Sequence, residues 1–343
     1  MELNTIGLDL AKNVFQVHAV APTGKILVRQ QLRRSAVLKF FGKQPKSLVG
    51  MEACASAHYW ARELSALGHE VRLMPPPRVK AYVPRGKKND AADAAAIAEA
   101  VTRPSMSFVP VKTVEQQSAL MLHRTRRLLV EARTRTSNAI RGQLGELGIC
   151  AAQGATGIAA LLAIIDDAGD ARLPEVARQA LMALASHLRS CDAQVAAMDK
   201  TIAGWHSCSD ESRRVATIPQ IGPITASALV ATAGEVNRFD NARQFAAWLG
   251  LVPSQNSSGG KASLGRITKS GDRYLRQLLV VSAIGMIRLV RKDPARSPWF
   301  ARLLARKPPK LAAVALANKM ARIAWVILAR GESYRAPAAE AAA

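Results

Sequence analysis

Two carboxylates three residues apart stand directly behind a pair of lysines in the stretch GKKNDAAD, residues 86–93. Asp90 and Asp93 open an alanine-rich segment that we expect to be helical, and a spacing of three puts both on one helix face. Taken alone the pair has an ordinary explanation, because the helix dipole stabilises acids at a helix N-terminus. Lys87 and Lys88 are suited to contacts with phosphates beside these acids.

Two further acids belong to predicted strands. Asp9 lies inside the apolar strand IGLDL, where an unpaired carboxylate is costly, and Glu52 follows the apolar strand SLVGM. Carboxyl ends of strands in open sheets are the usual place for ligands. Four clustered acids would repel one another unless divalent cations neutralised them, and oxygen ligands of this kind select Mg²⁺ or Mn²⁺. The set predicts a metal site able to polarise a phosphodiester, with two ions about 4 Å apart.

A second candidate for chemistry is the loop NSSGGK, residues 256–261. Serine and glycine in a loop usually form only a turn. None of the six histidines occupies a triad-like position, but Ser258 would still be a nucleophile if a metal lowered its effective pKa or a carboxylate took its proton. We expect the basic residues around it to hold phosphates. These are Lys261, Arg266, Lys269, Arg273 and Arg276.

The charge balance predicts a polyanionic partner. The 343 residues include 48 Lys and Arg against 25 Asp and Glu, a formal net charge of +23. Residues 209–335 carry 21 basic and 7 acidic side chains, so we expect the main binding surface for the polyanion there. The apolar run Leu278–Ile287 is much shorter than the roughly 20 residues that span a bilayer, and no secretory signal opens the chain. Four scattered cysteines form no CxxC pair. We expect a cytoplasmic protein without a membrane partner.

The elements that must position the acids can be predicted from residue patterns. Three strands come first, the second and third joined by a Pro-Thr-Gly turn, and helices and strands then alternate. This order predicts a mixed sheet with helices on its faces. The predicted strands are 4–10, 14–20, 25–31, Ser47–Met51 and Glu70–Met74, and the predicted helices are Ser35–Phe41, Ala57–Leu67 and Asn89–Val101.

The middle of the chain is predicted to be helical, over Val114–Leu147 and Leu173–Trp205. An antiparallel helical pair or a coiled coil is the simplest arrangement. The first helix carries a row of arginines that either follows phosphates or is an ordinary solvated face. Its members are Arg124, Arg126, Arg127, Arg133, Arg135 and Arg141. The later stretch 216–234 has the outline of a helix-hairpin-helix, with Gln220 where the motif usually has its first glycine.

With these motifs together, the chain resembles the DEDD transposases of insertion sequences, a family related to the Piv-like DNA invertases and described as RNA-guided bridge recombinases. The resemblance covers nearly the whole chain. It is carried by IGLDLAK, VGMEA and KKNDAADA in the first part, and by IPQIGPITASAL, FAAWLGLVPSQNSSGGK and LGRITKSGDRYLR in the last.

The resemblance implies a RuvC-type, ribonuclease-H-like α/β domain at 1–110, a helical coiled-coil insert at 111–208 and a mostly α-helical transposase domain at 209–335. The alanine-rich tail at 336–343 is expected from its composition to be disordered. It implies that Asp9, Glu52, Asp90 and Asp93 are metal ligands. Ser258 matches the nucleophilic serine through its pairing with Gly259, and the neighbouring Ser257 is the alternative.

The resemblance also implies partners and assembly. These are donor and target DNA, a non-coding guide (bridge) RNA, dimers that form a tetramer, and active sites that unite acids of one subunit with the serine of another. The preferred hypothesis is a DNA recombinase that works through a covalent serine-DNA intermediate. One alternative is a RuvC-type junction resolvase or nuclease that uses metal-activated water. Another is a basic nucleic-acid-binding module whose acids are structural.

Overall fold

The computed structural model describes residues 3–83, 89–256 and 263–336. The chain divides into two compact units, Met1–Val114 and Glu115–Ala343. The finer division that places a further boundary near residue 208 stays a prediction.

The first unit is built on a mixed five-stranded sheet with the order β3-β2-β1-β4-β5. β1 pairs antiparallel with β2 and parallel with β4, while β2–β3 is antiparallel and β4–β5 is parallel. All five strands confirm the predicted ones with small shifts at their ends, and the sheet is compatible with the ribonuclease-H-like fold that was expected. The strands are β1 (Asn4–Asp9), β2 (Val14–Val20), β3 (Ile26–Arg33), β4 (Ser47–Glu52) and β5 (Glu70–Met74).

Helices cover this sheet and complete its core. Inward-facing residues of the strands, among them Leu8 and Phe15, pack against Trp60 and Leu64. The Phe15 and Trp60 rings meet edge to face with centroids 5.2 Å apart. The helices are α1 (Val37–Phe41), α2 (Ala57–Ala66), α3 (Pro76–Val79) and α4 (Asp90–Ala100). The short α3 was not predicted, because a four-residue helix that begins at a proline has too few residues to show periodicity.

Helix α4 lies directly on the sheet because two strand residues have no side chain. A Cβ at Gly7 of β1 would stand 2.0 Å from the Ala94 carbonyl oxygen, and one at Gly50 of β4 would stand 2.8 Å from Val101 Cβ. Asn89 fixes where the helix begins, since its Oδ1 accepts the Ala92 N–H at 2.8 Å. Helix and strand are therefore held backbone to backbone beside Asp9.

The second unit is mostly helical. Its helices are α5 (Val114–Gly145), α6 (Ala155–Asp166), α7 (Glu175–Cys208), α8 (Asp210–Val215), α9 (Pro223–Ala233), α10 (Ala242–Trp248), α11 (Arg273–Lys292), α12 (Pro298–Arg306) and α13 (Pro309–Arg330). Two short strands, β6 (Pro253–Gln255) and β7 (Leu264–Ile267), pair antiparallel. Sequence analysis missed α6 and this hairpin.

The long helices α5 and α7 run antiparallel. Arg126 pairs with Asp199 and Arg133 pairs with Asp192. The residue numbers of the paired positions therefore rise along α5 as they fall along α7. Coiled-coil packing itself stays a prediction.

Several arginines of the α5 row have partners within the unit. Besides Arg126 and Arg133, Arg127 pairs with Glu131 one turn on. Arg141 donates hydrogen bonds to the carbonyls of Ala151, Ala152 and Gly154. Helix α5 therefore does not present a continuous row of free guanidinium groups. In the described part of the chain, Arg124 and Arg135 are the two arginines of this row that are solvent-exposed and form no ion pair.

Gln220 lies in the turn between α8 and α9. It adopts the left-handed conformation, with φ of 67°, which is least costly for a glycine. The helix-hairpin-helix itself stays a prediction.

The core of the second unit lies between α9, α11 and α13. Over the described residues, α13 is the one helix long and apolar enough to span a membrane by length and composition. It is longer than the apolar run singled out in the sequence, and its buried face, which includes Leu316 and Met320, packs into this core.

Gly7→Ala should lower the free energy of unfolding by about 3 kcal/mol, because the new methyl group meets a backbone carbonyl that cannot move aside. Gly142→Ala in α5 is the matched control: nothing lies within 4 Å of its Cβ, and alanine should stabilise this helix by about 0.5–1 kcal/mol. Urea unfolding of both variants measures the difference. Equal stability of the two would contradict the close approach of α4 to β1.

Candidate active site

The four predicted acids lie at one end of the sheet of the first unit. Asp9 is the last residue of β1 and Glu52 the last of β4, its parallel neighbour. Asp9 was expected within the strand, and it lies instead where the strand ends, half-buried. Asp90 and Asp93 occupy the first turn of α4, the helix that packs on β1. Sheet topology and one helix contact thus bring together residues that are up to 84 positions apart in the sequence, from Asp9 to Asp93.

The acids act on one another electrostatically. Burial raises the pKa of the Asp9 carboxyl, and the charges of Asp93 and Asp90 raise it further against a smaller lowering by the Leu10 N–H. Burial likewise raises the pKa of Glu52, helped by Asp9 and Asp93. Among the described residues no Lys or Arg forms an ion pair with any of the four acids. Within residues 3–83, 89–256 and 263–336, the negative charge of this cluster is therefore not balanced by an ion pair.

Cys54 stands at the edge of this cluster and was not singled out in the sequence. Burial and the charge of Glu52 raise the pKa of its thiol, with a smaller contribution from Asp9. A lone cysteine after a strand carries no pattern that marks it in the sequence.

The predicted nucleophile lies in the sequence between strands β6 and β7. Ser257, Ser258 and Lys261 lie outside the described residues, as do Lys87 and Lys88 of the first unit. The two flanking strands pair Gln255 with Leu264, and the Asn256 N–H donates to the Ser263 carbonyl at 2.9 Å. Paired strands thus stand on both sides of the predicted loop.

The base of the β6–β7 hairpin is closed by backbone contacts and one arginine. Gly250 and Gly271 have φ of +69° and +79°, and a Cβ at either would stand about 2 Å from a backbone oxygen of the other segment. Arg276 Nη1 donates to the Ser270 carbonyl at 2.8 Å and to the Leu249 carbonyl at 3.0 Å. The contact of Arg276 with a phosphate stays a prediction. Part of the Arg276 guanidinium already donates hydrogen bonds within the protein.

The other basic residues predicted here are more open. Arg266, Lys269 and Arg273 are solvent-exposed. Lys269 has φ of 55°, so its backbone is in the left-handed region beside the closed base.

Comparison with known proteins decides the family. A model of DEDD transposases of the IS110 type, described as "Transposase", matches residues 6–149, and a model described as "Transposase IS116/IS110/IS902 family" matches residues 212–299. The chain belongs to this family of transposases. Its members are enzymes that cleave and transfer DNA strands.

Individual relatives match over almost their full length. A probable family 20 transposase of Pseudomonas aeruginosa is 48% identical over 98% of this chain and 99% of its own. The transposase of insertion sequence element IS1328 from Yersinia enterocolitica is 38% identical, over 96% of this chain and 98% of its own. That of IS1111A from Coxiella burnetii is 36% identical, over 97% and 92%.

Membership in a DEDD family implies a divalent metal ion, and the chemistry of the donors fits one. Four carboxylates supply hard oxygen ligands. Burial first, and the charges of neighbouring acids second, raise the pKa values of Asp9 and Glu52, and a bound cation would oppose the second effect. In the part of the chain that the structure describes, no three His, Cys, Asp or Glu side chains converge as a metal site. The four carboxylates thus share one end of the sheet, but their side chains are not gathered around one point.

A buried polar chain in the transposase was missed by sequence reasoning. His123 of α5 is 2% exposed, with Nδ1 3.3 Å from the Tyr274 hydroxyl and Nε2 3.1 Å from Ser227 Oγ. Ser227 donates its own proton to the Pro223 carbonyl at 2.6 Å, so it must accept from His123 Nε2–H. Tyr274 then donates to Nδ1. The chain joins α5, α9 and α11, and Tyr274 follows the base of the serine hairpin. One histidine inside a helix of mixed sequence carries no periodic signal that could have revealed it.

Asp9→Asn should raise the melting temperature of the metal-free transposase at pH 7. A carboxyl whose pKa is raised on folding stabilises the fold when protonated and loses that contribution as the pH rises through its folded value, so ionised Asp9 opposes folding. Mg²⁺ should raise the melting temperature of the wild type more than that of the variant. Glu99→Gln on the same helix is the control and should be neutral or slightly destabilising, since Glu99 pairs with Arg103. A lower melting temperature for Asp9→Asn would mean that Asp9 is structural.

His123→Gln should flatten the acid side of the stability profile. Burial lowers the pKa of His123 to about 4, below its ordinary 6.5, and Arg126 contributes. The stability that neutral His123 provides is complete above pH 6.5 and is lost as the pH falls toward 4, by about 3 kcal/mol in total. Urea unfolding between pH 7 and pH 4 would measure this loss in the wild type and its reduction in the variant. Parallel profiles would exclude a buried neutral histidine.

Proposed function

We propose that this protein is an insertion-sequence transposase that cleaves and rejoins DNA through a covalent serine-DNA intermediate, guided by a bridge RNA. Ser258 Oγ forms a bond to a DNA phosphorus as the phosphodiester bond to one strand breaks, which leaves that strand with a free hydroxyl. The serine proton passes to a carboxylate or to solvent, and the departing oxygen takes up a proton. The hydroxyl of another strand then attacks the phosphoserine and releases Ser258. Phosphodiester energy is conserved, so no nucleotide cofactor is required.

The observation that carries the proposal is the charge cluster of Asp9, Glu52, Asp90 and Asp93 in a chain of net charge +23. In a basic protein, acids at the carboxyl ends of two parallel strands favour a use beyond folding, since burial and neighbouring acids raise the pKa values of Asp9 and Glu52. A bound Mg²⁺ or Mn²⁺ would supply charge stabilisation for the phosphoryl oxygens. The acids would hold that ion and orient it toward the phosphate.

The further parts of the proposal follow from the family resemblance. The partners would be donor DNA, target DNA and a non-coding guide RNA, held by exposed basic residues such as Arg266, Lys269 and Arg273. Dimers would associate into a tetramer in which acids and serine of different copies act together. The protein would work in the cytoplasm, and base pairing with the RNA rather than side chains would read the DNA sequence.

The test is a denaturing gel of end-labelled donor and target DNA incubated with protein, Mg²⁺ and RNA transcribed from sequence flanking the gene. We expect a slowly migrating, protease-sensitive adduct with wild-type protein. It should disappear with Ser258→Ala and with Asp9→Asn, and persist with Ser257→Ala.

Two other results would change the assignment. An adduct lost with Ser257→Ala alone would transfer the nucleophile to Ser257. Cleaved DNA without an adduct, undiminished in Ser258→Ala, would replace the recombinase by a metal-dependent nuclease that uses water.

A further inference from the structure

A cleft of about 700 Å³ opens in the first unit where β2 begins and β3 ends. Arg33 and Arg34 line one side of it and Tyr59 and Trp60, from the first turn of α2, line another. Its volume is that of a typical small-ligand site. None of these four residues was singled out in the sequence, because they come from separate elements that only the sheet and α2 bring together.

The cleft lies at the same end of the sheet as the acids. Asp9 pairs with Gln16, Val14 pairs with Arg33, and β1, β2 and β3 are consecutive neighbours. Two strand spacings separate β1 from β3, which is about 10 Å. A nucleic-acid strand advances about 3.4 Å per nucleotide along a helix axis, so the cleft is only a few nucleotides from a phosphate held at Asp9.

The chemistry of the lining fits a nucleotide. The Arg34 guanidinium lies 5.1 Å from the Trp60 ring centroid and 5.9 Å from that of Phe15, and within the described ranges neither Arg34 nor Arg33 forms an ion pair. A guanidinium stacked on an aromatic ring is held in place while its N–H groups stay available for a phosphate. Tyr59 is 41% exposed, and its ring meets Trp60 edge to face with centroids 5.1 Å apart.

We propose that this cleft binds an unpaired nucleotide of the DNA strand that runs to the acids, with the base against Tyr59 and the phosphate on Arg34 and Arg33. This inference rests on the proposed function, since it assumes that the acids act on DNA. The cleft would hold the strand beside the cleavage point in single-stranded form. Arg34 and Tyr59 are then binding and positioning residues, without a part in bond making.

The test is binding of fluorescein-labelled short oligo-dT to the full-length protein, followed by anisotropy in EDTA over a range of salt concentrations. Arg34→Ala should weaken binding about 5- to 10-fold and lower the slope of log K against log salt by about 0.7, the value for one phosphate contact on a single strand. Tyr59→Ala should weaken binding at least about 5-fold with the slope unchanged, because it removes stacking and no charge.

Lys43→Ala is the matched control. Lys43 is an exposed cation that follows α1 near the start of β4, at the opposite end of the sheet from Asp9, so affinity should change less than twofold. Arg34→Lys keeps the charge without the planar guanidinium, and it should retain the salt slope while losing part of the affinity. Melting temperatures of all variants check that the fold is retained.

Other nucleic acids identify the occupant. A blunt duplex should be little affected by Tyr59→Ala, since its bases are not free to stack. Equal losses on duplex and oligo-dT would overturn the unpaired-nucleotide assignment, and losses confined to oligo-rU would replace DNA by the guide RNA. If Arg34→Ala and Tyr59→Ala bind oligo-dT as tightly as Lys43→Ala does, the proposal that the cleft binds a nucleotide is wrong.

These outcomes are separate from those of the proposed function. Binding in EDTA needs neither metal nor a nucleophile, so a missing serine-DNA adduct would leave the cleft result standing. Conversely, unchanged oligo-dT binding by Arg34→Ala and Tyr59→Ala would not contradict a serine-DNA adduct.

Discussion

The contact between Gly7 of β1 and the backbone of α4 is the constraint on which the candidate active site depends. Because no side chain separates strand from helix, the Ala94 carbonyl approaches where a Cβ would otherwise be, and the first turn of α4 lies beside the end of β1. This approach places Asp90 and Asp93 at the same end of the sheet as Asp9. The parallel pairing of β1 with β4 adds Glu52. A site drawn from three elements thus depends on two strand positions, Gly7 and Gly50, that have no side chain.

The positions of these acids cost stability. Asp9 and Glu52 are half-buried, and burial raises the pKa of both carboxyls. Asp93 and Asp90 raise the pKa of Asp9 further, and Asp9 and Asp93 do the same for Glu52. A core selected for stability alone would place apolar residues at the ends of these strands. In the proposed function, the acids would offset this cost by holding a divalent cation at the carboxyl ends of parallel strands, the usual place for ligands in open sheets.

Sequence reasoning predicted the sheet well and the second unit less well, for identifiable reasons. Strands such as Val14–Val20 carry period-two patterns, and the Pro-Thr-Gly turn marks their connection, so local signals sufficed. The acids were proposed as a set because of their places at predicted strands and at the start of a predicted helix, and the family resemblance implied the same four residues as metal ligands. The β6–β7 hairpin was missed because its strands have three and four residues. His123 was missed because its partners, Ser227 and Tyr274, lie more than a hundred positions away.

The arginines show why charge alone predicts binding surfaces poorly. In α5, Arg126 and Arg133 close the antiparallel pair with α7, and Arg276 closes the base of the serine hairpin through backbone carbonyls. These cations are used in folding, although the sequence places them in basic rows. Arg34 differs because its partners are two aromatic rings, which orient a guanidinium without neutralising it. A cation that is held in place and still carries its full charge is suited to binding a polyanion. Arg34 meets that condition, and it directly follows β3, which lies two strands from β1 and Asp9 in the sheet.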